Sequence, residues 1–186
     1  MQDFIRAITH HFKNNQPFFS YNKPNSNKVI TFLQENDQLN YNKELIGKGV
    51  VFAPFVSDDF IFFNEKNCEI LNCEIDFLPS KFNDYQDKIP SNEVKRFHEN
   101  LVKEGVQGIE KGWFQKVVLS RKEEVEAQQD EFINYFIKLI QNYKTAFCYC
   151  FYHPKVGMWL GATPEQLVKQ DVNIISTVAL AGTQLS

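Results

Sequence analysis

The sequence contains no apolar run long enough to cross a bilayer. Its start, Met1-Gln2-Asp3-Phe4-Ile5-Arg6, lacks the basic opening and apolar stretch of a secretory signal, and no basic amphipathic helix suits a membrane surface. These absences point to a cytoplasmic chain with no membrane role. Cys-x-x-Cys pairs are missing too. The four cysteines, Cys68, Cys73, Cys148 and Cys150, read as small buried thiols in a reducing compartment; a zinc reading would find only His153 as a nearby extra ligand. The basic residues form no stripe, and the net charge of −3 argues against a nucleic-acid surface. There is no internal repeat and no low-complexity segment. What remains is a chain of 186 residues, 43% hydrophobic, with 18 Phe. That is core material for one domain or two small ones, neither disordered nor fibrous.

Apolar residues at Phe4, Ile5, Ile8 and Phe12 predict a helix over Asp3 to Lys13, stopped by Asn14-Asn15-Gln16-Pro17. Phe18 to Ser26 read as a polar loop around Pro24. Lys28 to Leu33, Val50 to Phe55, Phe60 to Phe63 and Cys68 to Leu71 read as short strands separated by tight polar turns, an antiparallel meander. Leu78 to Pro90 resembles a linker. Ser91 is a good N-cap for a helix with Val94, Phe97, Leu101, Val102, Val106 and Ile109 on its apolar side, ended by Gly112 in the left-handed position. Trp113 to Ser120 read as a strand and Asp130 to Ile140 as a further amphipathic helix. Further strands follow at Thr145 to Tyr152, Gly157 to Leu160, Glu165 to Lys169 and Val172 to Leu180, with turns at Pro154-Lys155 and Gln170-Asp171. The fold class is α+β with largely antiparallel sheet and packed helices.

Two residues carry candidate chemistry. Lys116 heads the apolar run Val117-Val118-Leu119, and an ammonium on a buried strand is costly unless something uses it. Lysine is also the cation whose proton affinity moves most readily on burial, so it can serve as a general base. Strand parity puts Lys116, Val118 and Ser120 on one face and Val117 and Leu119 on the other. A lysine snorkelling from the start of a strand is the competing reading. Glu165 follows Gly161-Ala162-Thr163-Pro164. It reads either as an acid in a pocket or as the first-turn acid of a helix. Gly161-Ala162 predicts close backbone approach, to another strand or to a ligand. Gly182-Thr183 reads as a functional turn or a plain one.

Taken together, Lys-Val-Val-Leu-Ser-Arg, Trp-Leu-Gly-Ala-Thr-Pro-Glu and Ala-Leu-Ala-Gly-Thr, in that order, resemble the motifs of the chorismate-utilising enzymes. The likeness runs from Ser91 to Gln184; residues 1–90 match only as the variable N-terminal strands and helix of such enzymes. It implies an incomplete chorismate-binding fold (like that of anthranilate synthase component I), with 91–186 as the first part of its core and 1–186 as a truncated single domain. It also implies chorismate as substrate and Mg2+ as cofactor. Lysine at position 116 marks the branch that adds water at ring carbon 2, where ammonia-using members carry glutamine. The implied activity is that of an isomerase, isochorismate synthase, in menaquinone or siderophore biosynthesis. Salicylate synthase, an ammonia-using anthranilate or aminodeoxychorismate synthase, and a non-catalytic binding module on the same scaffold are the alternatives. In the implied mechanism Lys116, as neutral amine, takes a proton from the attacking water, and protonated Glu165 gives one to the departing hydroxyl at carbon 4. Burial would push both groups in the needed directions. Ala181, Gly182 and Thr183 would line the substrate, their backbone donors suiting a carboxylate. The family's Mg2+-binding glutamates lie in motifs beyond this sequence, so no metal ligand is assigned, no fully bound cofactor is expected, and the chain alone is expected to be inactive. Oligomeric state is left open.

Overall fold

A computed structural model describes residues 1–44, 46–56, 58–75 and 91–178 of the chain. Helix α1 (Gln2–Lys13) buries Phe4 and Ile8, one helical turn apart, and exposes its polar side. Asn14 closes it by donating to the His10 carbonyl at 2.9 Å, and Asn15 turns the chain with φ 53°. The segment read as a polar loop is instead a strand, β1 (Phe18–Asn22), buried on both faces. Its polar side chains misled the pattern because each is satisfied locally. Ser20 Oγ bonds Thr31 Oγ1 at 2.9 Å, and Asn22 Nδ2 donates to the carbonyls of Ser26 and Lys28. Strand β2 (Lys28–Leu33) falls where expected.

Next come β3 (Gly49–Phe52), β4 (Ile61–Asn64) and β5 (Glu69–Glu74). They form no meander. β3 and β4 pair with each other, Ile61 of β4 also bridging to Tyr41, while β5 returns to β2. Between β4 and β5 a 3₁₀ turn, Glu65–Asn67, is capped by Asn64, whose side chain accepts from Lys66 N–H. The linker expected at Leu78 to Pro90 lies outside the described residues. Helix α2 (Asn92–Glu110) is the next described element.

After a 3₁₀ turn at Gln129–Glu131 comes helix α3 (Phe132–Asn142), which buries Phe132, Ile133, Phe136 and Ile140. It leads into β6 (Phe147–His153) and β7 (Gly157–Thr163), joined through Pro154-Lys155 as the sequence predicts. β7 runs three residues further than expected. Residues 165–168 form no strand; the short pair β8 (Lys169–Asp171) and β9 (Ile174–Ser176) turns at Val172-Asn173 instead.

The main sheet has the order β5-β2-β1-β6-β7, antiparallel throughout. Period-2 alternation divides its side chains between two cores. One face carries Phe18, Val29, Leu33, Cys148, Cys150 and Tyr152 against α1 and α3. The other carries Phe19, Phe32 and Phe151 against Phe63 and Phe52 of the β3–β4 pair. All four cysteines are free thiols. Burial pushes the Cys68 thiol up to about 11 and that of Cys150 higher still. Among the described residues no helix is long and apolar enough to cross a membrane.

The chain divides into two compact units, one drawn from Met1–Ser80 and Gln129–Ser186, the other from Lys81–Gln128. The second contains α2. Ser91 caps it as expected, Oγ accepting from Val94 N–H, and Gly112 past its end takes φ 73°. The apolar side of α2 is not buried: Val94, Phe97, Val102, Val106 and Ile109 are exposed, and Gly105 and Gly108 are its buried positions. The segment Trp113 to Ser120 is not a strand. Residues 115–128 carry neither helix nor strand, because no described strand pairs with them.

Candidate functional site

The Gly-Ala-Thr-Pro-Glu motif lies at the end of β7. Pro164 cannot donate to a ladder, so β7 ends at Thr163 and releases Glu165 into a loop. No helix follows, which removes the reading of Glu165 as a first-turn acid. Thr163 Oγ1 donates to the Glu165 carbonyl at 3.4 Å, tying the corner to the strand. Beside it opens a cavity of about 360 Å³ lined by Pro24, Thr145, Phe147, Thr163, Glu165 and Val178, with Pro164 and Gln166.

Each wall has a local cause. Pro24 is presented by the β1–β2 turn, where Asn25 takes φ 58° and its N–H donates to the Lys144 carbonyl at 2.8 Å. Phe147 stands directly opposite Thr163 in the β6–β7 register, and its ring stacks on Tyr21 at 5.5 Å. Val178 is brought back by the β8–β9 hairpin. Its N–H donates to the Gln166 carbonyl at 3.2 Å, and Thr177 Oγ1 donates to the Leu167 carbonyl at 2.6 Å. The cavity thus sets the apolar side chains of Pro24, Phe147 and Val178 beside the polar residues Thr145, Thr163, Glu165 and Gln166. The side chain of Glu165 is exposed.

Gly161 resolves the close approach expected at this motif, in favour of a neighbouring strand. Tyr149 of β6 sits opposite it, and a Cβ at Gly161 would come within 2.5 Å of the Tyr149 ring. Burial raises the Tyr149 hydroxyl above its ordinary proton affinity, and that of Tyr21 likewise.

Lys116 belongs to the other unit. Its side chain is exposed, and so is Val118, while a Cβ at Gly105 would lie 3.2 Å from Leu119 and 3.4 Å from Val117. The alternation read from the sequence therefore survives without the strand: Val117 and Leu119 turn to α2. The described cavity of this unit, about 450 Å³ between Val94, Lys95, His98, Glu99 and Arg121, does not include Lys116. Ala181, Gly182 and Thr183 lie outside the described residues.

The walls Pro24, Phe147 and Val178 were missed from the sequence. Phe147 carried a signal, its alternation with Tyr149 and Phe151 on one strand face; Pro24 had none, since only the sheet order brings β1 beside β6. For metals the donors do not assemble. Among the described residues no three His, Cys, Asp or Glu side chains stand together as ligands, and His153 Nδ1 is already engaged, accepting from Lys155 N–H at 3.1 Å.

The sequence profile of one protein family, described as chorismate binding enzyme, matches residues 64–185. No curated protein and no solved structure matches the chain.

Proposed function

The chain belongs to the chorismate-binding enzyme family, and from that premise we propose that it catalyses conversion of chorismate to isochorismate, with Lys116 as general base and Glu165 as general acid. The observation that carries the reading is the corner at Thr163-Pro164-Glu165, where Glu165 lines a cavity it shares with Pro24, Phe147 and Val178. A protonated Glu165 then hands its proton to the hydroxyl leaving ring carbon 4. Lys116, as free amine, takes a proton from the water that adds at carbon 2, and both ring double bonds shift by one position as the hydroxyl leaves carbon 4. Charge and protons balance, since one proton enters from Glu165 and one leaves to Lys116. The reverse reaction exchanges the roles.

Both side chains are exposed in the described structure, so the water exclusion this chemistry needs must come with substrate binding. Val178, which borders the cavity, directly precedes the Ala-Leu-Ala-Gly-Thr stretch. That order supports a role for Ala181, Gly182 and Thr183 against the substrate. Mg2+ would clamp a substrate carboxylate in this reading, but the described residues do not form a site that fits it, and no step above is routed through it.

The test is product analysis of the full-length protein with chorismate and Mg2+. Isochorismate as the product supports the proposal; salicylate with pyruvate, or an aminated product on adding ammonium salts, replaces it. Lys116→Ala and Glu165→Gln should each lower kcat by about 10²–10⁴-fold with the fold intact. Unchanged turnover in either variant removes that residue from the mechanism.

A further inference from the structure

The glycine of the Gly-Ala-Thr-Pro-Glu motif has a neighbour that gives it a role beyond chain flexibility. Resting on the reading of Glu165 as proton donor, we propose that Tyr149 and Gly161 are positioning residues for Glu165: the Tyr149 ring, seated where only a glycine leaves room, fixes β7 against β6 and thereby fixes the corner that carries the carboxyl group.

Tyr149 and Gly161 stand directly opposite each other in the antiparallel pair. A Cβ at position 161 would fall 2.5 Å from Cε1, 2.7 Å from Cζ and 2.8 Å from the hydroxyl oxygen of Tyr149. No real Cβ tolerates such contacts, so any side chain at 161 displaces the ring or the strand. The ring has little freedom to retreat. It stacks on Phe19 with centroids 6.2 Å apart and planes 14° apart, and Phe52 stands 6.0 Å away on the same side of the sheet. Phe19 is itself buried and in contact with Phe63 and Phe151. β7 is held on one side only, since β6 is its sole strand partner among the described residues. The softer element is therefore β7, and an added methyl moves the strand. Gly161 and Thr163 lie on one face, two residues apart, and Glu165 follows after Pro164. A displacement at Gly161 passes along this short span, tied by the Thr163 Oγ1 bond to the Glu165 carbonyl, toward the carboxyl group, and a misplacement of about 1 Å in a reacting group costs about 10²-fold in rate. A cross-strand aromatic resting on a glycine is also a known means of pinning register at a sheet edge.

The experiment combines Gly161→Ala, Tyr149→Leu, Tyr149→Phe and the double variant G161A/Y149L in the full-length protein. Glycine- and tyrosine-labelled protein should show a nuclear Overhauser contact between the Tyr149 ε protons and the Gly161 α protons; its absence overturns the geometry. G161A should shift the amide signals of Thr163, Glu165 and Gln166, and lower kcat about 10- to 100-fold while KM for chorismate changes by no more than about twofold. Y149L, added to make room, should bring the signals back and recover most of the lost kcat. Y149L alone should lower kcat, and Y149F, which keeps the ring, should restore it relative to Y149L. Unmoved signals in G161A, or a double variant no better than G161A, overturn the positioning role; should G161A not fold, the Y149L and Y149F pair decides it. Glu165→Gln separates the two claims: full turnover in that variant ends the acid assignment, while the resonance shifts still decide whether the pair sets the corner.

Discussion

Ser20 and Thr31 form a hydroxyl pair in the middle of an apolar face, both fully buried and 2.9 Å apart. Each hydroxyl is desolvated, so each needs the other. Replacing one, Ser20→Ala or Thr31→Val, strands its partner and should destabilise by about 1–3 kcal/mol in urea unfolding, whereas the double replacement should cost less than the sum. At this scale the sequence was a poor guide. A buried serine and asparagine at positions 20 and 22 resemble loop residues until the strand that satisfies them is known. Ser91 was legible because an N-cap acts on its own helix three residues away, and Gly112 because a left-handed residue is a property of the backbone alone. Gly161 was half legible: the need for space was apparent, but not that Tyr149 fills it.

Among the elements, α1 and α3 show how an amphipathic helix gains its stability, from the apolar side it sets on the sheet rather than from propensity. Phe136 and Ile140, one turn apart on α3, are almost wholly buried. Phe136→Ala should cost about 3–5 kcal/mol, measured by chemical denaturation, because the cavity left in the packed core does not fully close. The helices were legible because a period near 3.6 needs no partner to be recognised. Pairing was not. Nothing in Phe18–Asn22 announces that it lies between β2 and β6, with Tyr21 opposite both Ile30 and Tyr149. Lys116 shows the opposite failure: an apolar run predicts a strand, yet a strand exists only where a neighbour accepts its hydrogen bonds.

For the molecule as a whole, the pairing of β1 with β6 joins residues far apart in sequence, so the larger unit can complete its sheet only when both parts of the chain are present. That unit also holds two buried imidazoles. Burial lowers the proton affinity of both His11 and His153 below the ordinary value of 6.5. For His11 the nearby His10 acts in the same direction, while the bond to the Ala7 carbonyl and the charges of Glu69 and Glu35 oppose it. For His153, Lys155 lowers the affinity, while the Gln38 carbonyl and Asp37 raise it. The folded state thus binds fewer protons than the unfolded one just below 6.5, and stability rises with pH across that window. The urea midpoint should stay level above about pH 7 and fall as pH drops through about 6.5 toward 5.5, and His11→Gln with His153→Gln should flatten the fall. A midpoint indifferent to pH over this range would show that the two rings titrate as they do in the unfolded chain.

The chain has two tryptophans, and they fall in different units. Trp113 has the Lys111 ammonium 4.9 Å from its ring centroid. Trp159 borders an aromatic hollow with Phe52 and Tyr41. Each unit therefore carries its own fluorophore, one beside a cation and one against the Phe52 ring, so that replacing either indole by phenylalanine leaves an emission signal that follows the melting of a single unit.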